Sequence, residues 1–201
     1  IKEVYNAGAD AIIIQDLSIL TMNIPPVALH ASTQMHNNSV EKIRFLQANG
    51  ISRVVLPREL SIEEIIQFRK ETDCELESFI HGALCVSYSG QCYMSHEITG
   101  RSANRGACSQ PCRSSYDLID SGNNIIIKNK HLLSLKDLNL SNHLQQLISA
   151  GITSFKIEGR MKDTDYVKNV VAHYNTLLNN IIKDLPEYKR VSSGECTYSF
   201  A

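Results

Sequence analysis

A recurring unit, a short β-branched run placed after a helix that ends near a glycine, constrains this chain more than any other feature. Residues 11–15 (Ala-Ile-Ile-Ile-Gln) follow Gly8, and residues 26–30 form the next run. An amphipathic stretch over residues 40–49, stopped by Gly50, leads to a third run at residues 53–56. Ser61 with Glu64 spells a capping box for a helix over residues 62–70, because each side chain can satisfy an orphan amide of the first turn. A fourth run occupies residues 75–80. Runs and helices alternating at this spacing predict an α/β fold of parallel strands with crossover helices.

The rhythm stops over residues 82–113, where glycine and small polar residues follow neither period 2 nor period 3.6, as in a long functional loop or insertion. It resumes with two runs, 115–119 and 124–128, joined by Asp120-Ser-Gly-Asn, which has β-hairpin turn chemistry. A helix near residues 138–150, a strand at 153–157 and a helix over 164–182 complete the pattern. The last helix places Val167, Val170, Val171, Tyr174, Leu177, Leu178 and Ile181 on one stripe. Polar residues gather just beyond strand ends and no Gly-x-Gly-x-x-Gly fingerprint is present, which favours a (β/α) TIM-type barrel over a dinucleotide fold. The units are too few to close eight strands. The expectation is a partial barrel over residues 1–182, with a cysteine-rich loop at 82–113 and a hairpin, belonging to a longer parent protein. A loosely ordered tail is expected over 183–201.

The loop carries the strongest chemical signal. Cys85, Cys92, Cys108 and Cys112 fall within it, whereas Cys74 sits in a polar turn and Cys196 in the tail. Thiolates are soft ligands for zinc, copper(I) or iron-sulfur clusters. Disulfide frameworks belong to small secreted domains with poor cores, and a chain of 201 residues that is 43% hydrophobic can build a core without them. A redox-active thiol pair and inert or disulfide-bonded cysteines remain the alternatives. No apolar run approaches the ~18 residues of a membrane span, so a cytoplasmic protein is expected. A formal net charge of -1 gives no global attraction to nucleic acid or membrane.

Charged residues cluster after the strands. Arg58 and Glu59 follow the third run, and period 2 along Glu77-Ser-Phe-Ile-His81 puts Glu77, Phe79 and His81 on one face. The same alternation aims Lys156, Glu158 and Arg160 together, and charges pointing into a barrel mouth need partners or a ligand. Arg101, Arg105 and Arg113, interleaved with Ser102, Asn104, Ser109 and Gln110, form a basic patch suited to phosphate or carboxylate. For any one of these residues the plain alternative is a solvated turn or a structural ion pair. His30, His36, His131 and His173 show no ligand spacing beside a carboxylate.

The strings Glu77-Ser-Phe-Ile-His-Gly-Ala-Leu-Cys85, Gly90-Gln-Cys-Tyr-Met-Ser95 and Arg101-Ser-Ala-Asn-Arg-Gly-Ala-Cys-Ser-Gln-Pro-Cys-Arg113, with the block Lys156-Ile-Glu-Gly-Arg-Met-Lys162, resemble the collagenase-like peptidase family, peptidase family U32. The resemblance runs from about Gly8 to Ile182. It implies either of two activities. Some relatives are peptidases. Others are hydroxylation factors for a wobble uridine of transfer RNA or a cytidine of ribosomal RNA that use prephenate, and related hydroxylases hold a four-iron four-sulfur cluster on four cysteines. By that resemblance Cys85, Cys92, Cys108 and Cys112 hold the iron-sulfur cluster, with zinc as the alternative metal. Arg58, Arg105, Lys156 and Arg160 then bind a small carboxylate, a prephenate-like oxygen donor, or RNA phosphate, and Glu77, His81 and Glu158 are candidates for proton transfer. A peptidase would use Cys85 with His81 as base. No Gly-x-Ser-x-Gly or His-Glu-x-x-His string offers serine or zinc protease machinery. A structural zinc site in an RNA-interaction module is the third possibility.

Overall fold

The computed structural model describes residues 1–190. A short helix, α1 (Lys2–Asn6), precedes β1 (Ala11–Ile14), and β2 (Ala28–Ala31), α2 (Val40–Ala48), β3 (Ile51–Val55), α3 (Ile62–Glu71) and β4 (Glu75–Gly82) follow in the expected alternation. Strands β1, β2, β3 and β4 lie side by side and parallel, and β8 (Ser154–Ile157) pairs in parallel with β4. This open sheet of parallel strands is a partial (β/α) barrel. The tail expected over residues 183–201 begins instead with the end of α6 (Thr164–Lys183), and its part beyond residue 190, including Cys196, lies outside the described residues.

Local chemistry explains the boundaries. Ser61 and Glu64 form the capping box in full, each side chain taking the other's backbone amide. Ser39 caps α2 and Asp163 caps α6 through their side-chain oxygens. One face of the sheet packs Ile14, Leu29, Ala31, Val54, Leu76 and Ile80 against Ile43, Leu46, Ile65, Phe68, Leu144, Leu147 and Tyr174 of the helices. The other face carries His30, Arg53, Glu77, Phe79 and Lys156, and it is polar because these strands gather charge toward the barrel interior.

Three expectations need correction. The helix expected near residues 138–150 opens as a strand: β7 (Leu138–Asn139) pairs antiparallel with the end of β4, and only α5 (Leu144–Ser149) is helical after a 3-10 turn. Tertiary pairing with His81 and Gly82 outweighs the helical propensity of the leucines there. The loop of residues 82–113 contains a helix, α4 (Met94–Thr99), stopped by Gly100 at φ 70°, with 3-10 turns at Ala103–Arg105 and Pro111–Arg113. The stripe on α6 is narrower than expected, since Val167 and Val171 are exposed while Val170, Tyr174, Leu177, Leu178 and Ile181 face the core.

The hairpin expected after the loop is present as β5 (Tyr116–Ile119) and β6 (Ile125–Lys130). Its turn is closed by Asp120, whose carboxylate accepts from the amides of Gly122 and Asn124, both at 2.8 Å.

Candidate active site at the strand ends

The C-terminal ends of the strands and the cysteine loop enclose a cavity of about 320 Å³. Parallel sheets present their strand ends as open crevices, so side chains just past β2, β3, β4 and β8 converge there. Ser32, Thr33 and Gln34 reach it from β2, Arg58 from beyond β3, Phe79 from β4, and Lys156, Glu158 and Arg160 from β8.

Arg58 is the centre of the sheet-side wall. Its guanidinium carbon stands 3.6 Å over the Phe79 ring, and its Nη2 lies 3.4 Å from the Glu158 carboxylate. Burial lowers its pKa, opposed by Glu158, by the Cys85 thiol and by Glu59, and a guanidinium remains charged throughout. Lys156 shares the same ring at 5.6 Å and pairs with Glu77 at 3.3 Å. Glu77 is buried and fully engaged, holding Lys156, Arg53 at 3.6 Å and the Ser154 hydroxyl at 2.8 Å. It orients the wall from beneath and does not line the cavity.

Gly82 fixes the junction of β4 with β8. Its φ is +104°, and a Cβ there would run into the Glu158 carbonyl, so only glycine lets the two strand ends close. The Glu158 amide donates to the His81 carbonyl at 2.8 Å across this junction. Glu158 then accepts from the Arg160 amide at 3.0 Å, and Arg160 donates to the Gly106 carbonyl at 2.8 Å, which ties the strand end to the cysteine loop.

The opposite wall is the loop. Cys85, Cys92, Cys108 and Cys112 all line the cavity, and all are free thiols. Burial pushes the Cys112 thiol up, Arg113 opposes this, and the fields of Cys85, Cys108 and Cys92 add to it. The Gln110 amide donates to the Cys108 sulfur at 3.3 Å. The donor set therefore fits a thiophilic metal centre in kind and in its placement around one cavity. Among the described residues no three His, Cys, Asp or Glu side chains stand close enough to share an ion, so ligation requires the thiols to draw together.

The loop's backbone is tied down by side chains. Ser89 donates its amide and its hydroxyl to the Glu59 carboxylate, and Gly90, at φ +73°, packs against the Gln34 backbone where a Cβ would collide. The Cys92 amide donates to Asn104 Oδ1 at 2.9 Å, and the Ser109 amide donates to the buried Ser95 hydroxyl at 2.8 Å. Arg113 donates to Ser134, to Leu135 and to the Leu84 carbonyl.

Besides Glu77, the structure separates two further expected site residues, His81 and Arg105, from the cavity. His81 does not stand beside Glu77 and Phe79: a register shift between Phe79 and His81 breaks the alternation, and its Nδ1 lies 3.3 Å from the Tyr174 hydroxyl of α6. Burial lowers its pKa against the pull of Asp137, and no hydrogen bond joins it to Cys85 among the described residues. Arg105 likewise does not line the cavity and acts electrostatically on Asp16. Of the basic patch Arg101, Arg105 and Arg113, Arg113 alone lines the cavity, and Lys162, not singled out from the sequence, lines it too. Lys162 continues the alternation of Lys156, Glu158 and Arg160, and that was the available signal. Five cations, Arg58, Arg113, Lys156, Arg160 and Lys162, thus surround the cavity with one carboxylate, Glu158, although the chain's formal net charge is -1.

The chain is similar to several curated proteins. A 23S rRNA 5-hydroxycytidine C2501 synthase of Escherichia coli (strain K12) is 51% identical over 200 residues, covering 100% of this chain and 31% of that protein. The tRNA hydroxylation protein P1 of Bacillus subtilis (strain 168) is 39% identical over 193 residues, covering 92% of this chain and 46% of that protein. A collagenase of Porphyromonas gingivalis (strain ATCC BAA-308 / W83) is 35% identical over 188 residues, covering 87% and 45% respectively. The chain spans about a third to a half of the length of these relatives. The sequence model of peptidase family U32 matches residues 1–198, and with these identities the chain belongs to peptidase family U32.

Proposed function

We propose that this chain carries the reaction cavity of an RNA base hydroxylase, with a four-iron four-sulfur cluster held by Cys85, Cys92, Cys108 and Cys112. The carrying observation is one cavity at the strand ends lined by four free thiols and five cations. Identity of 51% to a 5-hydroxycytidine synthase, against 39% to a tRNA hydroxylation protein, favours a ribosomal-RNA cytidine over a transfer-RNA uridine. Such a protein works in the cytoplasm, and among the described residues no helix is long and apolar enough to cross a membrane.

When bound, a cluster of this kind supplies one-electron or Lewis-acid chemistry. Arg58 and Lys156 bind the carboxylate of a small oxygen donor of the prephenate type, since a guanidinium matches carboxylate geometry, and Arg160 is left for RNA phosphate. Phe79 keeps one face of Arg58 dry, which strengthens its pull on an anion. Glu158, placed between Arg58 and the Arg160 amide, is positioned to hold or move a proton at its carboxylate oxygens. Glu77 acts through Lys156. The Cys85 and His81 peptidase pair has no seat in this arrangement, because His81 turns to Tyr174.

The test is oxygen-free purification of the full-length protein, with iron, sulfide and zinc measured by element analysis and modified nucleosides by mass spectrometry. Bound iron and sulfide with RNA hydroxylation, both lost in Cys85→Ser, is the expected result. Hydroxylation that persists in a Cys85→Ser protein without iron overturns the cluster assignment, and stoichiometric zinc without hydroxylation makes the loop a structural zinc site instead.

A further inference from the structure

The two most exposed aromatic side chains among the described residues both belong to the cysteine loop. Tyr93 is 69% exposed and Tyr88 67%, while the other aromatic residues that stand out to solvent, Phe45 and Tyr5, lie away from the cavity on α2 and α1. Tyr88 lines the cavity, and Tyr93 stands between two residues that line it, Cys92 and Met94. Met161, 74% exposed, lines the cavity from beyond β8, between Arg160 and Lys162.

Leaving large apolar faces in water has no folding benefit, since burial of each is favourable. Among the described residues neither tyrosine hydroxyl finds a hydrogen-bond partner, and Tyr88 meets one ring, the edge of His36, at 6.0 Å between centroids. The backbone beneath Tyr88 is nonetheless fixed by Glu59 on Ser89 and by Gly90 against Gln34. A rigidly carried, solvent-facing ring beside a cationic cavity is the arrangement by which proteins hold unpaired nucleobases. Aromatic faces stack the base, and nearby arginine and lysine take the phosphates. A duplex cannot use such a surface, because its bases are already stacked.

We propose that Tyr88 and Tyr93 form a stacking shelf at the cavity mouth for unpaired nucleotides of an RNA substrate, with Met161 as an apolar neighbour and Arg160 and Lys162 as phosphate contacts. This rests on RNA hydroxylation as the function and adds that the substrate segment is single-stranded or flipped out of its helix. The charge complementarity is local: five cations to one carboxylate around the cavity.

The experiment uses the full-length protein with a fluorescein-labelled single-stranded RNA of mixed sequence, the same sequence annealed to its complement, and a gelatin peptide. Binding is followed as a function of salt, and hydroxylation as KM and kcat. Tyr88→Ala and Tyr93→Ala each weaken single-strand binding on the order of tenfold, because stacking of one base is lost. Tyr88→Phe restores it, Phe45→Ala changes nothing, and the slope against log salt stays as in the wild type for all tyrosine variants. Arg160→Ala reduces that slope by about one. Equal binding of duplex and single strand, or tyrosine-to-alanine variants with wild-type KM on an RNA that the wild type hydroxylates, overturns the shelf and leaves the hydroxylase intact. A wild-type protein that leaves RNA unmodified while Tyr88 is needed for gelatin binding overturns both.

Discussion

Lys156 reaches the cavity from a strand paired residue by residue with β4, while Cys92 reaches it from a segment in which the Asn104 side chain takes the amide. The two walls of the same cavity are held by different forces. The sheet wall rests on buried Leu76, Val54 and Ile80 and on a repeating ladder, so its geometry is over-determined. The loop wall contributes few buried apolar side chains and depends on carboxylate, amide and hydroxyl groups that each hold one backbone position. Precision at the sheet is therefore distributed. At the loop it is concentrated in Glu59, Asn104, Ser95 and the close-approach glycine Gly90.

Leu76→Ala gives the largest effect. Leu76 is fully buried in β4, and its truncation costs about 2–5 kcal/mol, read as a lowered urea midpoint. Both walls fall together, since the loop hangs from the strand ends. A loop that stays resistant to proteolysis after the far-UV signal of the sheet has melted would break the dependence of one wall on the other.

Gly90→Ala comes next and sharpens the contrast. A Cβ at φ +73° against the Gln34 backbone costs about 1–3 kcal/mol, and the cost falls on the loop. Faster hydrogen exchange is expected over residues 85–113 with an unchanged far-UV spectrum, together with weaker iron retention. An equal loss of protection in β3 and β4 would show that the walls are a single cooperative unit.

The smallest effect is on pH dependence, and it belongs to the sheet side. Burial lowers the imidazole pKa of His30, helped by Arg53, and burial also lowers that of His81, from an ordinary value of 6.5. The unfolded chain then binds protons that the folded chain refuses. The stabilisation is complete above about pH 6.5 and is lost as pH falls through the lower folded-state values. Substituting His30 by Gln should flatten part of this acid slope in urea titrations between pH 7 and pH 5, and an unchanged slope removes His30 from the account.

Much of the sheet wall was legible in the residues because strand alternation and helix caps are local. The runs that became β1, β3 and β4 and the Ser61–Glu64 box could be placed without knowledge of any partner, and the alternation of Lys156, Glu158 and Arg160 brought three cavity residues together before the fold was known. His81 broke the same rule because a register shift is decided between strands, and Tyr174 is distant in sequence. The helix α4 was missed because six residues carry too little periodicity to stand out.

By itself the sequence determined the α/β class, the cap positions, the hairpin turn and the four thiols of one loop, since each is written in neighbouring residues. Only the tertiary structure decided that these thiols share one cavity with five cations, that Arg105 and His81 stand outside it, and that Tyr88 and Tyr93 are left in water. The physical reason is that a neutral chain average contains no information on where its charges meet. That depends on which strand ends the sheet brings together, through contacts made between residues far apart along the chain.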